Sequence, residues 1–295
     1  MKKLSAAAPL LLVSELVLAQ SAGTLDKIKA TGAVTLGTRE ASTPFNFVDD
    51  SGRQAGLGWE ISLRIARRAQ KELALAELQI NTVGLTPQTR IALVANQTVD
   101  IECSSTTNNR ERQKQVSFSN TYFVTETRLL TRKDSGVLDF ADLKGKTVAV
   151  EAGTTSERLL RILNRERDLD ISILLTKDTI SNFNMVETGR AVASMGDDII
   201  FFGNIAIART PEQWAVVGTP QSREAYGCML RKDDPAFKKL ADSVISEMQT
   251  SGEMLELYNK YFNTRIDVNG GLEIQVPLSR ENAQLYQNPN DHAFE

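Results

Sequence analysis

VDIECSSTTNNRERQK, residues 99–114, is the stretch whose reading decides the fold. Val99 to Cys103 reads as a strand, and the polar run after it reads as the start of a helix. In an open α/β sheet a parallel strand delivers its C-terminal end to the crevice where ligands bind, so Ser105, Thr107 and Arg112 are expected to converge there. Hydroxyls together with a guanidinium fork suit a carboxylate, because arginine binds both oxygens while neighbouring donors meet the remaining lone pairs. Spacing alone equally allows an ordinary N-cap followed by a solvated, charged helix.

Outward from this stretch, strand-like and helix-like segments alternate, which marks an α/β architecture with mainly parallel sheets. Thr24 caps a short helix ending before Gly32, followed by a strand over Val34 to Thr38. Ile61, Ile65, Ala69 and Leu73 form the apolar stripe of a helix, and Leu78, Ile80 and Thr82 alternate as a strand. A second series runs from about Asp139: a strand at Thr147 to Val150, a helix from about Ser156, a strand at Ile171 to Leu175 and a helix from about Asp197. Two strand-like segments close it, Trp214 to Val217 and Tyr226 to Arg231. Phe237, Leu240, Val244 and Met248 then keep helical spacing, and a further helix covers about Glu253 to Phe262. Residues 263–295 read as an extended tail with one helix after Ser279.

At the N-terminus, two lysines, an apolar stretch and then small residues have the layout of a secretory signal peptide, with cleavage expected after Ala19. Glu15 interrupts the apolar stretch. No later apolar run reaches the ~18 residues that would span a bilayer. Losing Lys2, Lys3 and Glu15 with the leader moves the net charge from −3 to about −4, which argues against a nucleic-acid or anionic-membrane surface. A length of 295 residues suggests two compact units.

Absences narrow the chemistry. The single histidine, His292, sits near the C-terminus, which leaves no imidazole for a nucleophile triad and no multi-histidine metal site. Gly56 and Gly58 give G-x-G, but Ile61 stands where a third glycine belongs, and no GKS or GKT occurs. No cofactor and no metal are therefore expected. The two cysteines, Cys103 and Cys228, are compatible with one long-range bridge in an oxidising compartment or with two buried free thiols.

The segment ECSSTTNNRERQK resembles the S-T-x-x-x-x-R region of the polar amino-acid-binding proteins of ABC transporters, and it is close to the periplasmic glutamate/aspartate-binding group. TLDKIKATG, GTREASTPF, FADLKGKTVAVEAGTTSE, ETGRAVASMGDD, PQSREAYGCMLRKDDPAFKKL and TSGEMLELYNKYF resemble the same group in the same order. The resemblance implies a two-lobed periplasmic-binding-protein fold, the type II Venus flytrap, with a hinge of two crossings. It places a signal peptide at 1–19, lobe 1 at 20–124 and 231–295, and lobe 2 at 125–230. A periplasmic monomer serving an ABC transporter permease is expected.

Carried onto this chain, the resemblance implies that Arg112, Ser105 and Thr107 hold the α-carboxylate and part of the amino group. Thr155 adds a donor from the opposite lobe at a helix N-terminus, and Asp197 accepts the α-ammonium. Arg39 and Arg90 match positions that meet the side-chain carboxylate of glutamate or aspartate. Three arginines and one aspartate then give a local charge of +2, suited to an acidic amino acid, whereas a neutral amide would leave a buried guanidinium partly unpaired. Two departures fall at the side-chain end: Pro87 stands where the group has a serine, and Thr179, whose hydroxyl can still donate, where it has a histidine. Two rival readings share the scaffold. One is a cyclohexadienyl dehydratase-like enzyme using Glu40, Glu102 or Glu151 as general acid, and the other is a ligand-sensing module.

Overall fold

A computed structural model describes residues 23–294 except Asn269 and Leu272, so the expected signal peptide at 1–19 lies outside the described residues. The first part of the chain forms α1 (Thr24–Thr31), β1 (Ala33–Thr38), the small strands β2 (Ala41–Ser42), β3 (Asn46–Val48) and β4 (Gln54–Ala55), α2 (Leu57–Glu72), β5 (Gln79–Gly84), α3 (Arg90–Ala95) and β6 (Ile101–Glu102). The long strand β7 (Val116–Arg132) follows. Then come β8 (Thr147–Glu151), α4 (Thr155–Glu166), β9 (Ser172–Thr176), α5 (Thr179–Glu187), β10 (Ala193–Asp197), α6 (Asp198–Ala206), β11 (Trp214–Val217) and β12 (Arg223–Arg231). Three helices end the chain: α7 (Pro235–Ser251), α8 (Glu253–Phe262) and α9 (Arg280–Gln287).

One strand belongs to both halves. The order β5-β1-β6-β12-β7 makes one sheet and β7-β10-β8-β9 the other, with β11 also paired to β7. Residues 116–126 of β7 run antiparallel to β12, whereas Thr127 to Thr131 pair with β10 and Leu129 to Arg132 with β11. The ladder of β12 with β7 covers Arg223 to Arg231, so the expected lobe boundaries at 124/125 and 230/231 fall inside β7 and β12. The sheets are mixed rather than mainly parallel: β1, β5 and β6 are parallel to one another and β12 opposes them, while β8, β9 and β10 are parallel to one another and the second half of β7 opposes them.

The polar run after β6 does not begin a helix. It makes only a 3₁₀ turn, Arg112–Lys114, before β7. VSFSNTYFVTETRLLTR is rich in β-branched and aromatic residues, and that preference for extended backbone takes over where a helix was expected.

Burial follows the periods of the sequence. In α2, Leu57, Ile61, Ile65 and Ala69 are buried at four-residue spacing against the first sheet, each large side chain contributing about 1.5–3 kcal/mol. An aromatic cluster fills that lobe, with Phe123 stacked on Phe262 at 5.3 Å and Phe45 edge-on to Phe123 at 4.9 Å. In the second lobe neighbouring residues of one strand feed opposite cores: Leu129, Val148 and Val150 face one layer, Leu130 and Ala149 the other. A sheet covered on both faces requires this two-residue alternation of apolar side chains.

Of the two states left open for the cysteines, the bridge is the one present. Cys103 at the end of β6 is bonded to Cys228 in β12, and both are buried. The C-terminal segment lies along β7. Asn282 accepts from Val124 N at 2.7 Å and donates to Val124 O at 2.9 Å, and Asn290 O accepts from Thr121 N at 2.8 Å, while Gln249 of α7 donates to Thr121 O at 2.9 Å. Among the described residues, no helix is long and apolar enough to cross a membrane.

Candidate functional site

The C-terminal ends of β1, β6, β8 and β10 point at one gap between the lobes. Its wall includes Arg39, Pro87, Arg90, Ser105, Thr107, Glu151, Thr155, Thr179, Asn182 and Asp197 around a cavity of about 40 Å³, so the lobes stand nearly shut on one another. Each residue assigned from the sequence lines this gap except Arg112. That guanidinium is buried and donates from Nη1 to Thr107 O at 2.9 Å, which ties it to the lining rather than making it part of it.

From the first lobe, Arg39 follows directly on β1. Its backbone N–H donates to Asn46 Oδ1 at 3.1 Å, and its Nη2 crosses the gap to Glu151 Oε1 at 2.9 Å. Both partners are nearly sequestered from solvent, with 4% and 10% of their side chains exposed. Arg90, first residue of α3, donates from Nη1 to Ser105 O at 3.1 Å and to Thr106 Oγ1 at 2.5 Å. Thr106 in turn donates to Glu102. The Nε of Arg90 is buried without a hydrogen-bond partner. Ser105 Oγ lies 2.8 Å from Ser42 Oγ.

From the second lobe, Thr155 opens α4 next to the capping residue Thr154, whose hydroxyl accepts from Glu157 N at 3.1 Å. Thr155 Oγ1 donates to Glu224 Oε2 at 3.0 Å. Thr179 opens α5, and its hydroxyl donates across the gap to Ala41 O. The donor that the sequence left free at Thr179 is therefore engaged with the opposite lobe. Asp197, at the end of β10, accepts from Tyr226 Oη and, at 3.4 Å, from Thr127 Oγ1. Burial, with Glu224 beside it, pushes the Asp197 carboxyl up to about 7.

The expected local charge of +2 does not describe this arrangement. Glu151, Glu102 and Glu224 are buried around the same gap, so Arg39, Arg90 and Arg112 face four acids once Asp197 is counted. Burial also raises the Glu151 carboxyl above the ordinary range, although Arg39 and Arg90 oppose the shift. The sequence brought Glu151 near the cleft but not onto Arg39. Its place at the end of VAVE was the available signal, because the strand-end rule that selected Ser105 applies equally to β8. Tyr226 and Glu224 went unmarked because β12 looked like an ordinary strand.

The model for bacterial extracellular solute-binding proteins, family 3, matches residues 34–264. The L-glutamate/L-aspartate-binding protein of Pseudomonas aeruginosa is 47% identical over 286 residues, covering 97% of this chain and 94% of that one. The glutamate/aspartate import solute-binding protein of Escherichia coli is 47% identical over 271 residues, 92% of this chain and 89% of its own. Among solved structures, a mutant arginine-binding protein from T. maritima superposes with a TM-score of 0.71 at 29% identity, over 80% of this chain and 98% of that chain. An ancestral amino acid-binding protein, described as a precursor of cyclohexadienyl dehydratase, gives 0.69 at 28% identity over 82% of this chain and 100% of its own. Their fold is the two-lobed type II frame found here. Since the family match takes in both sheets and every residue lining the gap, this chain belongs to the bacterial extracellular solute-binding proteins, family 3.

Proposed function

We propose that the protein captures glutamate or aspartate between its lobes and presents the closed complex to the permease of an ABC importer. The observation that carries this reading is the pair of buried arginines, Arg39 and Arg90, facing Asp197 across one gap. The ligand's ammonium replaces the Tyr226 hydroxyl as the partner of Asp197, and its α-carboxylate takes Ser105, Thr107 and the amide end of α4 at Thr155 and Ser156. Arg112 acts through Thr107 and adds positive charge behind that carboxylate. The side-chain carboxylate reaches toward Arg39 and Arg90, in the company of Thr179.

Closure follows from contacts that only the closed form makes. Ion pairing of Arg39 with Glu151, donation from Thr179 to Ala41 O and packing of Ile199 and Ile200 into the first-lobe core all bridge the lobes, and a ligand held from both sides shifts the population further. The lobes are taken to pivot where β7 changes partners, between Glu126 and Thr127, and just before Arg223 on the return crossing. Secretion into the periplasm by the leader at 1–19 accords with the Cys103–Cys228 bridge, which persists in oxidising compartments. A monomer suffices, since both walls of the gap come from one chain. The dehydratase reading is disfavoured because relatives 47% identical are import proteins, and because Glu151 and Glu102 are engaged with Arg39 and Thr106 while Glu40 is exposed.

Titration calorimetry with glutamate and aspartate tests the proposal. Dissociation constants below about 100 μM, near −5.5 kcal/mol, are expected for at least one of them. Failure of both to bind at millimolar concentration would remove the reading.

A further inference from the structure

The end of the gap that holds Arg39 and Arg90 is built for more than a carboxylate. Arg39 and Arg90 stand there with Glu151, directly paired to Arg39, and with Glu102, joined to Arg90 through Thr106. Formal charges balance. A second carboxylate would leave one surplus negative charge in a closed site, where imbalance costs more than in water. A primary amide adds no charge.

Hydrogen-bonding capacity points the same way. Pro87 supplies no side-chain donor, and the Thr179 hydroxyl hydrogen is already given to Ala41 O. Two lining residues carry buried atoms with no partner, a donor at Arg90 Nε and an acceptor at Asn182 Oδ1. Asn182 can turn either end of its amide to a guest, but the Glu151 carboxylate on Arg39 can only accept. Guanidinium donors beside a fixed carboxylate acceptor complement a group that accepts at one atom and donates at the next. The side chains of glutamine and asparagine are such groups, whereas a carboxylate only accepts.

From this we infer that Glu151 is a specificity-determining residue that admits the amide side chains of glutamine and asparagine alongside the corresponding acids. The inference rests on the reading of the gap as an α-amino-acid site. In that site the amide oxygen takes Arg90 and Arg39, and the amide nitrogen donates to Glu151 and Asn182.

Calorimetry of the full mature chain with all four amino acids, in the wild type and in Glu151→Gln, decides it. In the wild type, glutamate and glutamine, and likewise aspartate and asparagine, are expected to bind within tenfold of each other. In Glu151→Gln the acid-to-amide affinity ratio is expected to move at least fivefold toward the acid, because Arg39 loses its internal partner. A wild-type preference for the acid above tenfold overturns the inference without any variant. So does a shift under fivefold, which includes the case where Glu151 only latches the lobes and its loss weakens all four ligands alike. If glutamate or aspartate binds and the amides do not, the amide inference fails while the capture reading stands. If none of the four binds at millimolar concentration, both fall.

Discussion

In the proposed complex Asp197 would join ligand capture to proton balance. Its carboxyl stands at about 7 against an ordinary 3.8, because burial and Glu224 disfavour the charge. Between those values the folded chain keeps a proton that the unfolded chain releases, so stability falls as pH rises from about 4 to about 7 and then levels. The raised Glu151 carboxyl acts in the same direction. Carboxyls such as Asp49 and Glu60, held low by their hydrogen bonds, work in the opposite sense but only in more acidic solution. Thermal unfolding of the protein without added ligand is expected at a lower temperature at pH 8 than at pH 5, and Asp197→Asn should flatten the difference. An arriving ammonium stabilises the charged carboxylate. Binding at pH 6 is therefore expected to release part of a proton, seen as a dependence of the heat on the buffer's ionisation enthalpy. A heat independent of buffer would place the ammonium elsewhere.

At the scale of elements, α6 comes into close contact with the loop between β2 and β3 on the opposite lobe. A Cβ added at Gly203, inside α6, would meet Thr43 O at 2.7 Å, which real side chains do not tolerate. Gly203→Val is expected to hold the lobes apart, lowering ligand affinity at least tenfold and raising the radius of gyration in solution scattering with ligand present. Unchanged scattering would show that the loop yields. Such an approach was not legible from the sequence, because it depends on two elements some 160 residues apart meeting face to face. Elements with a clear period were legible: the stripe Ile61, Ile65, Ala69 gave α2, the alternation of Leu78, Ile80 and Thr82 gave β5, and the strand-like segments at 147–150 and 214–217 match β8 and β11 within a residue or so. β7 was missed, since its register is settled by partners on both sides and not by its own pattern. The site divides likewise. Strand ends and motif resemblance brought Arg39, Arg90, Ser105, Thr107, Thr155, Thr179 and Asp197 to one gap, whereas the ion pair between Arg39 and Glu151 depends on the distance between lobes.

For the whole molecule, the C-terminal segment matters because the family match stops at residue 264 and the chain continues across β7. Asn282 satisfies both backbone groups of Val124, close to where β7 passes from one lobe to the other. Asn282→Ala leaves a buried N–H and a buried carbonyl unmatched and is expected to cost about 1–3 kcal/mol in urea unfolding. A loss under ~0.5 kcal/mol would mean that water replaces the amide. From Val116 to Glu126 the side of β7 away from β12 carries no strand neighbour among the described residues; Asp242 and Gln249 of α7 take Asn120 N and Thr121 O, and the tail takes Thr121 N and both backbone groups of Val124. During synthesis those tail residues emerge after the strands they cover. Until they arrive, Thr121 N and both backbone groups of Val124 stand open to any other chain, so a product truncated before Ser279 should self-associate through that exposed border even when the rest of its fold is intact.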